Sequence, residues 1–285
     1  MASRTSPTVR RRRLAAELRR LRQASGRTRE EVAEWVGCAP ATVTKIENGS
    51  ATARPADVSL LLELYDVTGA PRDELMTLAR EARRRGWWHQ YADTFHPGFE
   101  VYVGLEEEAA RIRSYQAEVV GGLLQTEAYA RALFAAELPA VPEDAVARQV
   151  AVRLKRQERL TAGDPPRTCA VLNEAALWRE VGGRATMREQ LRHLVKVSGI
   201  AGTTVQVLPF AAGSHPGMHG AFTVLGFPED GDADVVYVEY RQGSLYLEKQ
   251  ADKEAYVRLF DHLRARALGP EESRALISRV ADQMT

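Results

Sequence analysis

Residues Thr28 to Asn48 read TREEVAEWVGCAPATVTKIEN, a stretch spaced as two short helices joined by a tight turn. Thr28 and Glu31 have the spacing of a capping box, in which the hydroxyl accepts from an orphan amide of the first turn and the carboxylate answers back to the cap. Val32, Ala33 and Val36 then fall on one helical face. Gly37 supplies a residue that tolerates positive φ where this helix stops. Pro40 suits the first turn of a second helix, since its missing N–H would be an orphan there anyway, and Val43 and Ile46 carry the inward face three residues apart. Thr42, Thr44, Lys45 and Asn48 are left facing outward. Side chains of these types hydrogen-bond base edges or phosphates, and a helix of this length fits the major groove when a preceding helix braces it.

Capped helix pairs occur in many folds, so the flanking segments decide between readings. Upstream, Val9 to Gln23 carries a stripe of Leu14, Leu18 and Leu21 in a run of seven arginines. Downstream, Pro55 to Tyr65 turns Val58, Leu61, Leu62 and Tyr65 to one side, and Pro71 to Arg85 forms a fifth helix ended by Gly86. The arginines that close this fifth helix also suit the helix dipole, which accounts for them without a ligand. Over residues 9 to 85 this order resembles the Xre-type family of bacterial and phage repressors, most specifically in VTKIENG. The family usually places Ser at the cap of its recognition helix and Ser or Gln just inside, where this chain has Ala39 and Ala41. The candidate DNA-contacting residues of this head are Arg27, Thr28, Arg29, Pro40, Thr42, Thr44, Lys45, Asn48, Ser50 and Arg54, with Arg29 placed at the start of the bracing helix where phosphates approach amides.

Charge agrees with a nucleic-acid-binding head. The 285-residue chain has a net charge of only +1. Residues 1–86, however, hold 17 Lys and Arg against 11 Asp and Glu, whereas the remainder holds 22 against 27. A basic head on an acidic body is the distribution expected of a polyanion-binding module. The length supports two cores. Cys38 and Cys169 lack metal or disulfide spacing, so neither a metal nor a cofactor is expected. No run approaches the ~18 to 20 apolar residues of a membrane span, and a cytoplasmic protein is expected. Residues 1–8 are expected to form a mobile arm.

Residues 87–104, GWWHQYADTFHPGFEVYVG with the preceding glycine, are aromatic-rich without helical period and read as an interdomain linker. From 105 to 285 helices and short strands interleave. Leu105, Ala109 and Ile112 have helical spacing, as do Tyr129, Ala130 and Leu133, and Glu143 to Leu160 is amphipathic. β-Branched and aromatic runs follow at Thr168–Leu172, Thr203–Leu208, Ala221–Phe227, Asp234–Tyr240 and Ser244–Leu247, with helices expected near 173–180, 186–198, 250–267 and 270–283. The later strands are joined by connections too short for a crossover helix. The fold class expected is therefore an all-α N-terminal helix-turn-helix domain plus an α+β C-terminal domain with a mainly antiparallel sheet.

The motifs LLQT-x-x-YARA and G-x-H-x-G-x-x-G-x-F, with VLNEAALWREVGG and VVYVEY, resemble the C-terminal domain of unknown function that follows an Xre-type head in many actinobacterial regulators. Gly121 stands where family members usually have Pro. The resemblance implies an antitoxin-like transcriptional regulator, commonly encoded beside a small partner protein. Within this domain His215 and His219 lie four apart in GSHPGMHGAF, but Pro216 and Gly217 prevent the helix that would align them as metal ligands. With Glu239 and Tyr240 they are candidates for an effector pocket, against the blander reading of half-buried turn residues. No phosphate loop, zinc spacing or triad is present, so an enzyme fused to a DNA-binding head ranks below a regulator that binds a partner protein and one that senses a small molecule. The expected partners are a double-stranded DNA operator, a second copy of the chain in a homodimer and a small co-encoded protein, with no membrane.

Overall fold

A computed structural model describes residues 6–138, 140–227 and 234–284. The chain divides into two compact units, Met1–His89 and Gln90–Thr285. The first holds α1 (Pro7–Ala24), α2 (Arg29–Val36), α3 (Pro40–Glu47), α4 (Pro55–Leu64) and α5 (Gly69–Glu81). Its core is built from the expected stripes: Leu14 and Leu18 of α1, Val32 and Ala33 of α2, Val43 and Ile46 of α3, and Val58, Leu61 and Leu62 of α4, with Ala79 of α5.

Two helices in this unit have bounds that differ from the expectation. α1 starts at Pro7 because the Ser6 hydroxyl accepts from Thr8 N at 3.2 Å, so the expected arm is shortened; its remainder, residues 1–5, lies outside the described residues. α5 starts at Gly69 rather than Pro71, since a proline is tolerated anywhere in the first turn, where no intrahelical amide bond is lost. It ends at Glu81, four residues before the expected arginine.

The stretch expected as a linker without regular structure is instead a 3₁₀ helix, Trp87–Thr94, followed by α6 (Phe99–Glu106). Its second part packs within the C-terminal unit, with Phe99 stacked on Tyr102 at 5.6 Å and Tyr102 against Tyr237 at 4.2 Å between ring centroids.

The C-terminal unit continues with β1 (Arg111–Gln116), α7 (Glu127–Ala135), α8 (Glu143–Gln157), β2 (Arg167–Asn173), α9 (Ala175–Trp178), α10 (Arg184–Val197), β3 (Thr203–Leu208), β4 (Phe222–Gly226), β5 (Val235–Tyr240), β6 (Gly243–Leu247), α11 (Gln250–Arg266) and α12 (Pro270–Gln283). Among the described residues six strands form one mixed sheet in the order β3-β2-β1-β4-β5-β6. β4–β5 and β5–β6 are antiparallel, as their short connections require, and β1–β4 is antiparallel as well, although β2 and β3 lie between them in the chain. β1–β2 and β2–β3 are parallel, because each is bridged by a helical crossover.

β1 corrects the expected helix through Leu105, Ala109 and Ile112. The helix stops at Glu106, and Ala110 N donates to Gly226 O at 2.8 Å as the chain enters the sheet. On one sheet face Tyr115, Val171, Leu208, Phe222, Val224 and Val236 pack under Phe260 and Leu263 of α11. On the other, residues of opposite parity such as Ile112, Leu172, Val205, Val207 and Leu225 are buried as well. Strands covered on both faces read as continuous apolar runs, which is how the later ones were recognisable.

Candidate functional site

The helix-turn-helix assembles from local capping. Thr28 Oγ1 accepts from Glu31 N at 3.2 Å and Thr28 N donates to Glu31 Oε2 at 2.8 Å, closing the capping box. The Thr28 amide, then its hydroxyl, hold the Glu31 carboxyl below the usual carboxylate range. Gly37 adopts φ 72°, ψ 42° and ends α2, a conformation that a Cβ would strain. Ala39 stands at the N-cap of α3 and gives no side-chain hydrogen bond, so Pro40 alone marks this start.

The expected DNA-contacting residues fall into two groups. Pro40, Thr42, Lys45 and Asn48 are exposed on or at the end of α3, opposite buried Val43 and Ile46, and Arg27 is exposed before α2. The others have their polar groups engaged within the protein. Thr28 serves the cap. Thr44 Oγ1 donates to Pro40 O at 3.2 Å and Ser50 Oγ to Lys45 O at 3.1 Å, so both satisfy the backbone of α3. Arg54 forks onto Asp57 at 2.9 and 2.8 Å.

Arg29 reveals a feature that reading along the sequence missed. Its Nε donates to Glu47 Oε2 at 3.0 Å, and Glu47 also accepts from Arg22 Nε at 2.5 Å and Arg22 Nη2 at 3.2 Å. Arg22 Nη1 donates further to Arg27 O at 2.9 Å. One carboxylate, with 2% of its side chain exposed, thus ties α1, α2 and α3 together and fixes the angle at which α3 presents its outer face. Burial, then Glu47, push the nearby Tyr65 hydroxyl up to about 12. Partners 25 residues apart leave no periodic signal in the sequence.

In the C-terminal unit, the four residues expected to share an effector pocket separate into different surroundings. His215 is half-buried in the loop before β4, its Nε2 3.4 Å from Asn173 Nδ2, which also lies 3.4 Å from the Tyr115 hydroxyl. Burial, then the charge of Arg266, push its imidazole below the ordinary value. A Cβ on Gly217 would come within 2.9 Å of the Tyr115 ring, so this loop needs the glycine to lie against β1. His219 is exposed at the end of the 3₁₀ turn Pro216–His219. Glu239 lies on β5 with Oε1 3.2 Å from His96 Nε2, and its Oε2 accepts from the Tyr237 hydroxyl at 3.1 Å. Tyr240, at the end of β5, is half exposed.

A concavity of about 700 Å³ lies elsewhere, lined among others by Arg111, Arg113, Arg167, Cys169, Gln206 and Arg264, and includes none of these four residues. The LLQT-x-x-YARA motif also belongs to the framework. Buried Gln125 donates to Val120 O at 2.6 Å and accepts from Arg153 Nη1 at 2.7 Å, Gln190 brackets Thr126 N and Leu124 O at 2.7 Å each, and the Tyr129 hydroxyl accepts from Val120 N at 3.1 Å. Next to it, Arg156 forks onto buried Glu106 at 2.7 and 2.8 Å, with its guanidinium against Phe99 and Tyr102.

No helix among the described residues is long and apolar enough to cross a membrane. Comparison with known families matches residues 13–75 to a helix-turn-helix domain, which supports a DNA-binding regulator. Residues 99–279 match the domain of unknown function DUF5753. Neither the curated proteins nor the solved structures contain a match. With more than half of its length covered by that second domain, the chain belongs to the DUF5753 family and carries a helix-turn-helix domain ahead of it.

Proposed function

We propose that this protein is a sequence-specific, Xre-type transcriptional regulator of antitoxin-like character, without enzymatic activity. It acts in the cytoplasm as a homodimer on a two-fold DNA operator. Its C-terminal unit binds a small partner protein, and that binding changes operator affinity. The observation that carries the DNA-reading part is the exposed face of α3, where Thr42, Lys45 and Asn48 stand opposite a buried Val43 and Ile46 and are held by the Glu47 network. Lys45 suits a phosphate and Thr42 a base edge. Two such heads on one duplex require half-sites roughly 34 to 36 Å apart, or a multiple of that distance.

The test is selection of bound duplexes from a random pool by the full-length protein, followed by titration of the recovered site. A palindromic consensus is expected, with the Thr42→Ala variant losing ~1 to 3 kcal/mol on that site and less on variants of the base it contacts. Enrichment of no sequence, or equal losses by the variant on all duplexes, would remove Thr42 from base reading. Partner control is tested by titrating the small protein encoded beside the gene with and without operator. Linkage requires operator to change the partner's affinity by the same factor as partner changes the operator's.

A second reading, in which the C-terminal unit senses a small molecule, is favoured by the arginine-lined concavity.

A further inference from the structure

We infer that the concavity between the leading ends of β1, β2 and β3 and the last turns of α11 is a binding site for a small phosphorylated molecule. Arg111 and Arg167 are direct neighbours in the parallel β1–β2 ladder, and Arg113 follows Arg111 on the same face of β1. Arg264 reaches the same space from α11, as does the ring of buried Phe260. Like charges set directly opposite one another in a sheet are destabilising, so three strand arginines and a helical one on a single recess call for an anion.

Among the described residues, the acidic groups near this recess are Asp234 and Asp261. Asp234 comes within 3.7 Å of Arg111. Arg113, Arg167 and Arg264 form no ion pair among the described residues. Desolvation pushes the Cys169 thiol up, with Asp261 adding to the rise, while Arg264 and Arg113 pull in the opposite direction.

Size and donor chemistry narrow the occupant. At about 700 Å³ the recess falls in the range of about 300–1,000 Å³ common for small-molecule sites. Guanidinium forks match phosphate oxygens bidentately, and four of them exceed what a single carboxylate uses. Thr204 and Gln206 add neutral polar groups on the same sheet face. Gln206 Nε2 donates to Leu268 O at 2.9 Å. The arginines line a concave recess flanked by α11 rather than a ridge, so they fit a small anion better than the backbone of a duplex.

This site deepens the small-molecule reading of the C-terminal unit and stands independently of DNA reading by α3. The experiment is calorimetric titration of the DNA-free, full-length protein with inorganic pyrophosphate, in parallel with thermal melting. Wild type is expected to give saturable binding and a melting temperature that rises with pyrophosphate. The R113Q/R167Q variant is expected to bind about tenfold or more weakly, since charge-assisted bonds are lost. In the absence of pyrophosphate it should melt no lower than wild type, because repulsion is relieved; a merely structural role for the arginines would lower it. Arg264→Gln, on a different element, should weaken binding in the same direction.

Absence of saturable heat with wild type, or undiminished affinity in both variants, overturns the inference. Loss of duplex or acidic-peptide binding in the variants, with no pyrophosphate binding by wild type, overturns it in favour of a macromolecular contact. Because DNA is left out of the titration, its failure and the failure of operator reading are separate results.

Discussion

Replacing Glu47 by alanine is expected to destabilise the N-terminal unit by about 3 kcal/mol. Breaking a buried pair by removing one partner generally costs ~3 to 5 kcal/mol, because the remaining charge is left uncompensated. Here two features move the value to the lower end. Arg22 keeps its bond to Arg27 O, and Arg29, with 35% of its side chain exposed, regains water. For a unit of this size 1 kcal/mol corresponds to a shift of ~4 to 8 °C in melting temperature, so the transition should fall by about 12 to 24 °C.

Scanning calorimetry of the full chain measures the shift, and hydrogen exchange assigns it by locating the lost protection in α1 to α4. Glu47→Gln, which retains one acceptor for Arg22, should lose less. Arg22→Met combined with Glu47→Leu should recover most of the loss, since no buried charge remains in that pair. A shift below ~4 °C for the single variant, or a double variant as unstable as Glu47→Ala, would refute the view that this carboxylate sets the attitude of α3.

Thr28→Ala removes the cap of α2 and should cost about 1 kcal/mol, most of it restored by Thr28→Ser, as read by chemical denaturation. The Glu31 carboxyl is depressed in the folded state, so its contribution is present above the ordinary carboxylate range and is lost as pH falls through the lowered value; the Thr28→Ala penalty should shrink in acid. Lys45→Ala should weaken binding on all duplexes and flatten the log-log salt dependence by about 1, measured by fluorescence anisotropy; an unchanged slope would take Lys45 off the phosphates. His96 is raised by its contact with Glu239, so the stabilisation it gives the C-terminal unit is full below the ordinary imidazole value of about 6.5 and is lost as pH rises through the raised one. Melting temperatures followed across that window should decline, and Glu239→Gln should remove the decline.

The parts of the fold legible in the sequence are those fixed over a few residues. A capping box spans three positions, a helical stripe repeats every three or four, and a proline or glycine marks a boundary by its own backbone preferences. These sufficed for α1 to α4, for the later strands and for the antiparallel hairpins. β1 escaped because its two-residue period carries Arg111 and Arg113 on one face and is short, while Leu105, Ala109 and Ile112 fit a helical spacing by coincidence. Two of these three are on different elements of the folded chain. A central strand with arginines at its leading end reads as an exposed helix until its neighbours in the sheet are known.

Sites divide along the same physical line. The exposure of Thr42 and Lys45 was legible because a single helix places them opposite the buried Val43 and Ile46. Glu47 was not, since its role depends on Arg22 and Arg29 arriving from two other helices. His215 and His219 drew attention through proximity in sequence, yet the proline and glycines between them turn the chain so that one leans on Tyr115 and the other faces solvent. Conversely, Arg111, Arg167 and Arg264 come from three segments separated by tens of residues, and only the register that sets Arg111 beside Arg167 makes them one electrostatic feature. Concentrated charge of one sign costs the folded state more when it is convergent than when it is spread along a chain. A recess that gathers four arginines, of which Arg111 meets Asp234 at 3.7 Å, is therefore stable only insofar as the rest of the core exceeds the remaining repulsion. An anion that enters returns the difference as binding free energy, which couples occupancy of the recess to the stability of the sheet that forms it.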